Sequence, residues 1–163
     1  MATLLKANEV TKIYAKGQRP SLNKVSFNVA ESEFIAIMGA SGSGKTTLLN
    51  VLSTIDTPTS GSIIINGVNL KQLSDTGAAD FRRDNLGFIF QEYFLLDSLT
   101  IRENISVPLT LQKLPSKKIE KMVRSLAERF GIASQLDKYP NELSGGQRQR
   151  ASAARAIVKQ PSI

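Results

Sequence analysis

GASGSGKTT, at residues 39–47, is the most informative stretch in this chain of 163 residues. It matches the pattern G-x-x-x-x-G-K-[ST] at every fixed position. The apolar run EFIAIM precedes it at residues 33–38, and an apolar segment predicted to be helical follows at 46–53. This strand–loop–helix context distinguishes the stretch from a flexible Gly/Ser linker. Because glycines let backbone N–H groups surround phosphate oxygens, the stretch predicts a phosphate-binding loop.

Each part of this loop has a predicted task. The helix that follows it presents a positive N-terminal end to an anion. Lys45 offers a charge to the β- and γ-phosphates of a nucleotide, and Thr46 offers a hydroxyl ligand to Mg²⁺. Such a loop predicts nucleotide binding. It does not distinguish among kinases, GTPases, helicases and transport ATPases, because all of them share it. The candidate phosphate-binding residues are Gly39, Ala40, Ser41, Gly42, Ser43, Gly44, Lys45, Thr46 and Thr47.

Strand and helix patterns alternate on both sides of the loop, which predicts an α/β fold. Strands are expected at residues 4–13, 22–29, 33–38, 63–65 and 86–90, with turns at 16–20 and at Asn66-Gly67. Helices are expected at 46–53, at 74–83, from a Thr100 cap to a point near Pro108, and at 116–130 before Gly131.

A second anion-binding motif lies near the end of the sequence. LSGGQ, at residues 143–147, places Ser144 and a pair of glycines at the start of a helix predicted to run to about Val158. An ordinary serine cap would explain the hydroxyl, but a glycine pair is a poor start for a helix, so close backbone approach is the better explanation. Because the first loop already holds the phosphates, this motif needs the nucleotide of another chain, as in a two-fold dimer.

Composition excludes several classes of site. The chain has no cysteine and no histidine, which removes disulfides, Cys/His zinc sites and imidazole catalysis. No apolar run is long enough to cross a bilayer, and the N-terminus has no secretory pattern. The net charge of +7 is compatible with nucleic acid or an anionic membrane surface, but solvated helix faces are the better explanation.

The motifs GASGSGKTT, GFIFQEY and LSGGQRQR, in this order, resemble the nucleotide-binding domain of ATP-binding-cassette (ABC) proteins. The resemblance covers the whole chain. It implies a P-loop NTPase core of ABC type with an N-terminal antiparallel β subdomain and an inserted α-helical subdomain. The expected divisions are residues 1–90 for the β subdomain and P-loop core, 91–143 for the Q-loop and helical subdomain, and 144–163 for the signature helix.

The resemblance also implies roles that the residues alone leave open. Tyr14 would stack on adenine, although it could equally pack in the core as a strand tyrosine. Gln91 would be a catalytic Q-loop residue that contacts Mg²⁺ or the attacking water; otherwise it is a polar strand end. Lys45 would be the other catalytic residue. The signature residues that would reach the partner's ATP are Ser144, Gly145, Gly146 and Gln147.

A finer resemblance points to a bacterial branch of this family. STIDTPTSG, DFRRDNLGFIFQEYFLLDSLTIREN and LDKYPNELSGGQ look like macrolide-export and lipoprotein-release ATPases, and most like the ATPases of bacitracin-type resistance transporters. This implies a homodimeric ATP-binding subunit, attached to a transmembrane permease at the cytoplasmic face of the membrane, with no nucleic-acid partner. Residues 93–96 would then face the permease.

Family members continue after the signature helix with a strand that ends in a Mg²⁺-binding Asp and a catalytic Glu, followed by a D-loop and a switch histidine. This sequence ends at Ile163 and has no histidine. We therefore expect an N-terminal fragment, with part of the core missing, that binds nucleotide weakly and does not hydrolyse it alone. The alternatives are a soluble ABC ATPase acting on ribosomes or DNA, and a non-hydrolysing nucleotide sensor.

Overall fold

A computed structural model describes residues 2–17 and 19–163. The chain forms two compact units, the first ending at Asp80 and the second comprising Phe81–Ile163. Strands and helices alternate in the first unit, whereas the second is helical. Among the described residues, none of the helices is both long and apolar enough to cross a membrane.

The first unit contains an antiparallel sheet. Its strands are β1 (Thr3–Lys12), β2 (Leu22–Ala30), β3 (Ser60–Ile65) and β4 (Val68–Asn69), and their spatial order is β2-β1-β3-β4. The central strand β1 pairs with both β2 and β3, so that Ala7 lies opposite Phe27 on one side and Ile63 on the other. Alternate residues of β1 and β3 are buried, as expected for a sheet with one face on a core. The buried set includes Leu5, Ala7, Ile63 and Ile65.

The predicted hairpin turn at Asn66-Gly67 is confirmed. Ile65 pairs with Val68, so the turn has two residues, and both have positive φ: 50° at Asn66 and 76° at Gly67. Positive φ at both positions is what a type I′ hairpin turn requires. The other predicted turn, at residues 16–20, includes Gln18, which lies outside the described residues.

Two helices begin in the first unit. Helix α1 (Lys45–Leu52) follows the glycine-rich loop, and α2 (Asp75–Asn85) contains the boundary between the units. Both match their predicted positions to within two residues. The last turn of α2 is capped by Lys159, whose Nζ donates to the carbonyl oxygens of Arg82 at 2.9 Å and of Arg83 at 2.5 Å. A cation at this end is favourable because helix C-termini carry unsatisfied carbonyls.

The second unit packs α3 (Ile101–Leu111), α4 (Ser116–Arg129) and α5 (Gly145–Ile157) around one apolar core. Helix α4 was predicted from its amphipathic pattern, and Val123 and Leu126 of that pattern are buried. Gly131 ends this helical region at φ +64°, a conformation that favours glycine. The prediction for α4 is confirmed.

Helix α3 begins as predicted but does not fade near Pro108. Thr100 caps it through a reciprocal capping box with Glu103, and the helix then continues through Pro108 to Leu111. An interior proline costs roughly 3 kcal/mol because it removes a hydrogen bond and crowds the preceding turn. Here the helix buries Ile101, Ile105 and Leu109 completely, and that packing outweighs the local cost.

The expected strands at residues 33–38 and 86–90 are wrong as strand assignments. Phe34 is 94% exposed, Met38 is 88% exposed, and neither segment belongs to a strand. A strand needs a hydrogen-bonding neighbour, which apolar composition cannot supply, and the sheet of the described residues does not include these segments. The second segment makes a short parallel contact, in which Ile163 donates to the Asn85 carbonyl at 3.1 Å and Gly87 donates to that of Ile163 at 2.7 Å.

Candidate functional site

The glycine-rich loop turns sharply into α1. Gly42 and Gly44 have φ values of +76° and +89°, and Gly44 is the N-cap of α1. A Cβ at Gly44 would lie 2.4 Å from the backbone oxygen of Ser21, a distance that real Cβ atoms do not show. Gly44 is therefore required both by its backbone conformation and by the close approach of the neighbouring chain.

Lys45 folds back across this loop. Its Nζ donates to the carbonyl oxygens of Gly39 at 2.8 Å and Ala40 at 2.7 Å, and lies 3.5 Å from Ser43 Oγ. The ammonium group is thus held beside the loop backbone at the start of α1. The first N–H groups of a helix have no partner within the helix, so a cation and backbone donors converge on one place. This arrangement is suited to polyphosphate.

Tyr14 follows β1 and is 58% exposed. It therefore does not pack in the core, which was one of the two interpretations of this residue. Lys12 lies beneath the aromatic side chain, with its Nζ 4.9 Å from the ring centroid. Lys12 also pairs with Asp56 at 2.5 Å. The sequence gives no signal of the Lys12–Asp56 contact, because the two residues are far apart along the chain. Asp56 lies within STIDTPTSG, but that stretch indicates a branch of the family and not a pairing.

Gln91 lies in an exposed turn in the second unit, and the segment after it has an unusual backbone. Tyr93 and Phe94 are consecutive non-glycine residues with φ values of 60° and 44°. Helix α5 holds this strained turn. Ser152 Oγ donates to the Tyr93 carbonyl at 2.9 Å, and Arg155 donates to the Tyr93 carbonyl at 2.9 Å and to that of Phe94 at 2.5 Å. Gln91 thus begins a turn that is anchored to the helix of the signature motif.

The signature motif forms the N-terminus of α5. Ser144 Oγ accepts from the N–H of Gln147 at 3.3 Å, and Gln147 Oε1 accepts from the N–H of Ser144 at 2.8 Å. The pair is a reciprocal capping box, in which the hydroxyl accepts and keeps its own proton available. A Cβ at Gly145 would lie 3.6 Å from the hydroxyl of Tyr93. The first turn of α5 therefore lies against the segment that follows Gln91.

Exposed apolar side chains surround this segment. The ring of Phe94 meets that of Phe90 edge to face, with centroids 5.0 Å apart, and Phe94 is 59% exposed. Leu96 is 48% exposed, but its backbone is held by the fully buried Asn104, whose side chain accepts from the Leu96 N–H at 2.7 Å and donates to its carbonyl at 3.0 Å. The loop is thus fixed with Phe94 and Leu96 exposed, whereas Leu95 packs against the apolar core of the second unit. The expectation that all of residues 93–96 face a partner is therefore wrong at Leu95.

The predicted site residues fall into two groups. In the first unit the structure brings together the loop at 39–47 and the start of α1, and places Tyr14 after β1 on an exposed surface. In the second unit it brings together the segment after Gln91 and the signature residues. Sequence reasoning missed Ser152, Arg155 and Asn104, which hold the backbone of that segment. The sequence offers only one indication of them: a polar side chain on the core-facing side of a helix needs a hydrogen-bond partner.

The α/β fold and the Lys45 loop at the N-terminus of α1 define a P-loop NTPase. Within that class, residues 22–163 match the family model described as ABC transporter. The chain belongs to the ABC transporter family.

Two relatives are about half identical to the chain. The ABC transporter ATP-binding protein YxdL of Bacillus subtilis (strain 168) is 51% identical over 165 residues, which cover 100% of this chain and 64% of YxdL. The bacitracin export ATP-binding protein BceA of Halalkalibacterium halodurans is 50% identical over 162 residues, covering 98% of this chain and 64% of BceA. The chain thus spans 64% of the length of each of these relatives, which is less than two thirds.

Solved structures agree in fold. The dimeric ABC transporter cassette MJ0796 superimposes with a TM-score of 0.87 at 36% identity, over 96% of this chain and 70% of that one. A dimeric post-hydrolysis state of MJ0796 bound to ADP and phosphate gives a TM-score of 0.86 at the same 36% identity. The predicted α/β P-loop fold of ABC type is confirmed.

Proposed function

We propose that this chain is the ATP-binding part of an ABC transporter subunit, which binds and hydrolyses MgATP and transmits the resulting motion to a separate membrane permease. The observation that carries the proposal is the loop at 39–47. It supplies left-handed glycines, the helix N-terminus that begins at Gly44, and an ammonium group already turned towards the loop backbone. These are the groups that hold the β- and γ-phosphates in P-loop enzymes.

Mg²⁺ fits the residues that we assign to it. It prefers oxygen ligands and is usually bound by few protein groups together with phosphate oxygens and water. Thr46 offers an exposed hydroxyl in the first turn of α1, and Gln91 offers an exposed amide oxygen. The described residues contain no cluster of acidic side chains that would hold a metal ion by itself. When bound, the metal neutralises charge on the β- and γ-phosphate oxygens.

The proposed mechanism uses two copies of the protein. Each copy holds ATP with its own Lys45 loop and with Tyr14 stacked on the base, while Ser144 and the glycines after it approach the γ-phosphate of the other copy. The serine hydroxyl supports this role, because its oxygen accepts within the capping box and its proton is left to donate. Catalysis then consists mainly of placing the phosphates and water and stabilising charge, with Lys45 and Gln91 as the catalytic groups.

Coupling to the permease is proposed for the exposed apolar loop. Phe94 and Leu96 project from a segment whose backbone is fixed, which supports a docking role for these two side chains of residues 93–96. Under this proposal residues 1–90 bind the nucleotide, 91–143 meet the permease and 144–163 face the second copy. The protein then acts at the cytoplasmic face of the membrane.

The relatives indicate the kind of substrate. BceA is named as a bacitracin export protein, so we propose a peptide antibiotic, or a lipid-linked or similarly amphipathic compound, as the transported molecule. The names of YxdL and BceA both favour a transporter over a soluble ATPase acting on ribosomes or DNA. We expect no nucleic-acid partner.

The test of this proposal is MgATP binding by the purified protein, measured by isothermal titration calorimetry. We expect saturable binding that Lys45→Ala weakens at least tenfold, because the charge opposite the phosphates is lost. Lys71→Ala, which removes an exposed lysine of the same unit, is the matched control and should bind like the unchanged protein. Equal affinity for the Lys45 variant and the control would contradict the proposal.

A further inference from the structure

Lys12, Tyr14 and Asp56 form a cluster in the first unit that joins the end of β1 to the turn after α1. Lys12 is the last residue of β1, and its Nζ lies 2.5 Å from Asp56 Oδ1 and 4.9 Å from the centroid of the Tyr14 ring. The same Nζ donates to the carbonyl of Thr57 at 2.9 Å. The ammonium group is therefore fixed by two oxygen acceptors while it faces the aromatic ring.

The support beneath this cluster is also fixed. The N–H of Thr57 donates to Asp56 Oδ1 at 2.8 Å, which orients the carboxylate towards Lys12. The N–H of Ile13 donates to Thr59 Oγ1 at 3.0 Å, and the N–H of Thr59 donates to the carbonyl of Thr11 at 2.8 Å. Residues 56–59 are thus joined to residues 11–13 through both backbone and side chains, directly before Tyr14.

Asp56 is a carboxylate at neutral pH. Burial opposes the charge on Asp56, but the hydrogen bond from Lys12, the Thr57 N–H and the positive charge of Lys12 together hold the pKa of this carboxyl below its ordinary value of 3.8. The side chain of Tyr14 also lowers the pKa of Asp56. Lys12 and Asp56 are only 13% and 24% exposed, so the charge beneath the ring is partly shielded from solvent, where cation–π attraction is stronger.

We propose that Lys12 and Asp56 are positioning residues that orient the Tyr14 ring for stacking on the base of a bound nucleotide. The proposal rests on the nucleotide-binding function proposed above. An aromatic side chain that is 58% exposed would otherwise sample several rotamers. The ammonium group of Lys12 attracts one part of the Tyr14 ring and leaves the exposed part of the ring free to stack on the base. The pair therefore contributes to recognition of the base and not to recognition of the phosphates.

The test compares two ligands, ATP and inorganic triphosphate, each with Mg²⁺, by isothermal titration calorimetry on the purified protein. Triphosphate contacts the Lys45 loop but has no base to stack. We expect Tyr14→Ala to weaken ATP binding roughly tenfold, the scale of one base–aromatic stack. Lys12→Met and Asp56→Asn should each weaken it roughly threefold through the weaker ring orientation, with triphosphate binding unchanged.

Further variants separate positioning from a merely structural role. Lys12→Arg keeps a cation that can face the ring and pair with Asp56, so it should restore the preference for ATP over triphosphate. In a Tyr14→Ala background, Lys12→Met should cause no additional loss, because the ring that it orients is gone. Thermal unfolding of each variant identifies any that fail to fold. If Lys12→Met does not fold, the comparison of ATP with triphosphate is made with Asp56→Asn.

Three results would overturn the positioning role while leaving the ATP site intact: unchanged ATP affinity in folded Lys12→Met and Asp56→Asn variants, equal losses for ATP and triphosphate, or an additional loss in the Tyr14→Ala background. Failure of the underlying function has a different signature. In that case the unchanged protein would bind neither ligand in a manner that depends on Lys45, and both proposals would be rejected.

Discussion

Single residues in this protein are tightly constrained where the backbone turns into α1. Gly42 and Gly44 share the left-handed conformation, but only Gly44 also lies against the backbone of another segment, at the Ser21 carbonyl. The loop therefore requires glycine at position 42 for its backbone conformation, and at position 44 for both its conformation and the lack of space for a Cβ. Lys12 and Asp56 are constrained in another way, because each stabilises the charge of the other where the turn after α1 brings them into contact.

Gly44→Ala should destabilise the protein more than Gly42→Ala. Both variants pay the cost of a left-handed alanine, about 1–2 kcal/mol. Gly44→Ala also forces a Cβ against the Ser21 carbonyl, so that the backbone must shift. This shift should cost roughly 1–3 kcal/mol more. Urea denaturation measures the two free energies of unfolding. Equal values would show that the approach to Ser21 imposes no constraint.

The Lys12–Asp56 pair should make stability depend on acid pH. Because the pKa of Asp56 is lower in the folded protein than in the unfolded chain, its stabilisation is fully present above the ordinary value of 3.8 and is lost as pH falls through the folded pKa. The stability difference between the unchanged protein and Asp56→Asn should therefore shrink as the pH falls below the ordinary value of 3.8 and through the folded pKa. Urea denaturation of both proteins at a series of acidic pH values tests this prediction. A stability difference that does not change with pH would contradict it.

At the scale of elements, α5 performs two tasks at once. Its N-terminus is capped by Ser144 and Gln147, and its later turns hold the strained backbone of Tyr93 and Phe94 through Ser152 and Arg155. Arg155 is half-buried, and this burial lowers its pKa. A rigid helix thus connects the signature motif to the segment after Gln91 within one unit.

Replacing Ser144 should separate helix capping from ligand binding. Ser144→Ala removes the side-chain acceptor and should cost about 1 kcal/mol in the free energy of unfolding, whereas Ser144→Asn keeps a good N-cap and should cost little. Both remove the hydroxyl, so both should reduce ATP-dependent dimerisation, measured by analytical ultracentrifugation. Normal dimerisation of the stable Ser144→Asn variant would contradict a role for the hydroxyl at the partner's ATP.

At the scale of the whole molecule, two units divide the proposed tasks. The first contains the phosphate-binding loop and Tyr14, and the second contains the signature helix and an exposed apolar loop. Monomeric proteins rarely expose clustered large apolar side chains without a binding role. The exposed Phe94 and Leu96 are consistent with the contact with a membrane partner that we propose for this loop.

Phe94→Asp should uncouple transport from ATP binding. The side chain is 59% exposed, so the change should leave folding and nucleotide affinity nearly intact while placing a charge in the proposed contact with the permease. Leu111→Asp, at a position that is 60% exposed on α3, is the matched control and should transport normally. Transport is measured with the protein and its permease in proteoliposomes. Normal transport by Phe94→Asp would reject the assignment of this loop.

The sequence by itself determined the features that arise within a few neighbouring residues. The loop at 39–47, the Asn66-Gly67 turn, the Thr100 cap and the amphipathic α4 could be predicted, because the interactions that form them act within a few residues of chain. At Ser144 the same reasoning placed an ordinary cap second to close backbone approach, yet the structure forms a capping box there. The same local patterns predicted strands at 33–38 and 86–90. Those predictions failed as strand assignments because β-structure depends on a partner elsewhere in the chain.

Only the tertiary structure decided which distant residues support the candidate site. Lys12 meets Asp56 across 44 positions, and Arg155 meets Phe94 across 61. Neither contact follows a periodic pattern, since both depend on how loops are placed by the elements around them. Motifs identify the groups that would contact a nucleotide, whereas packing determines which charges and hydrogen bonds hold those groups in place.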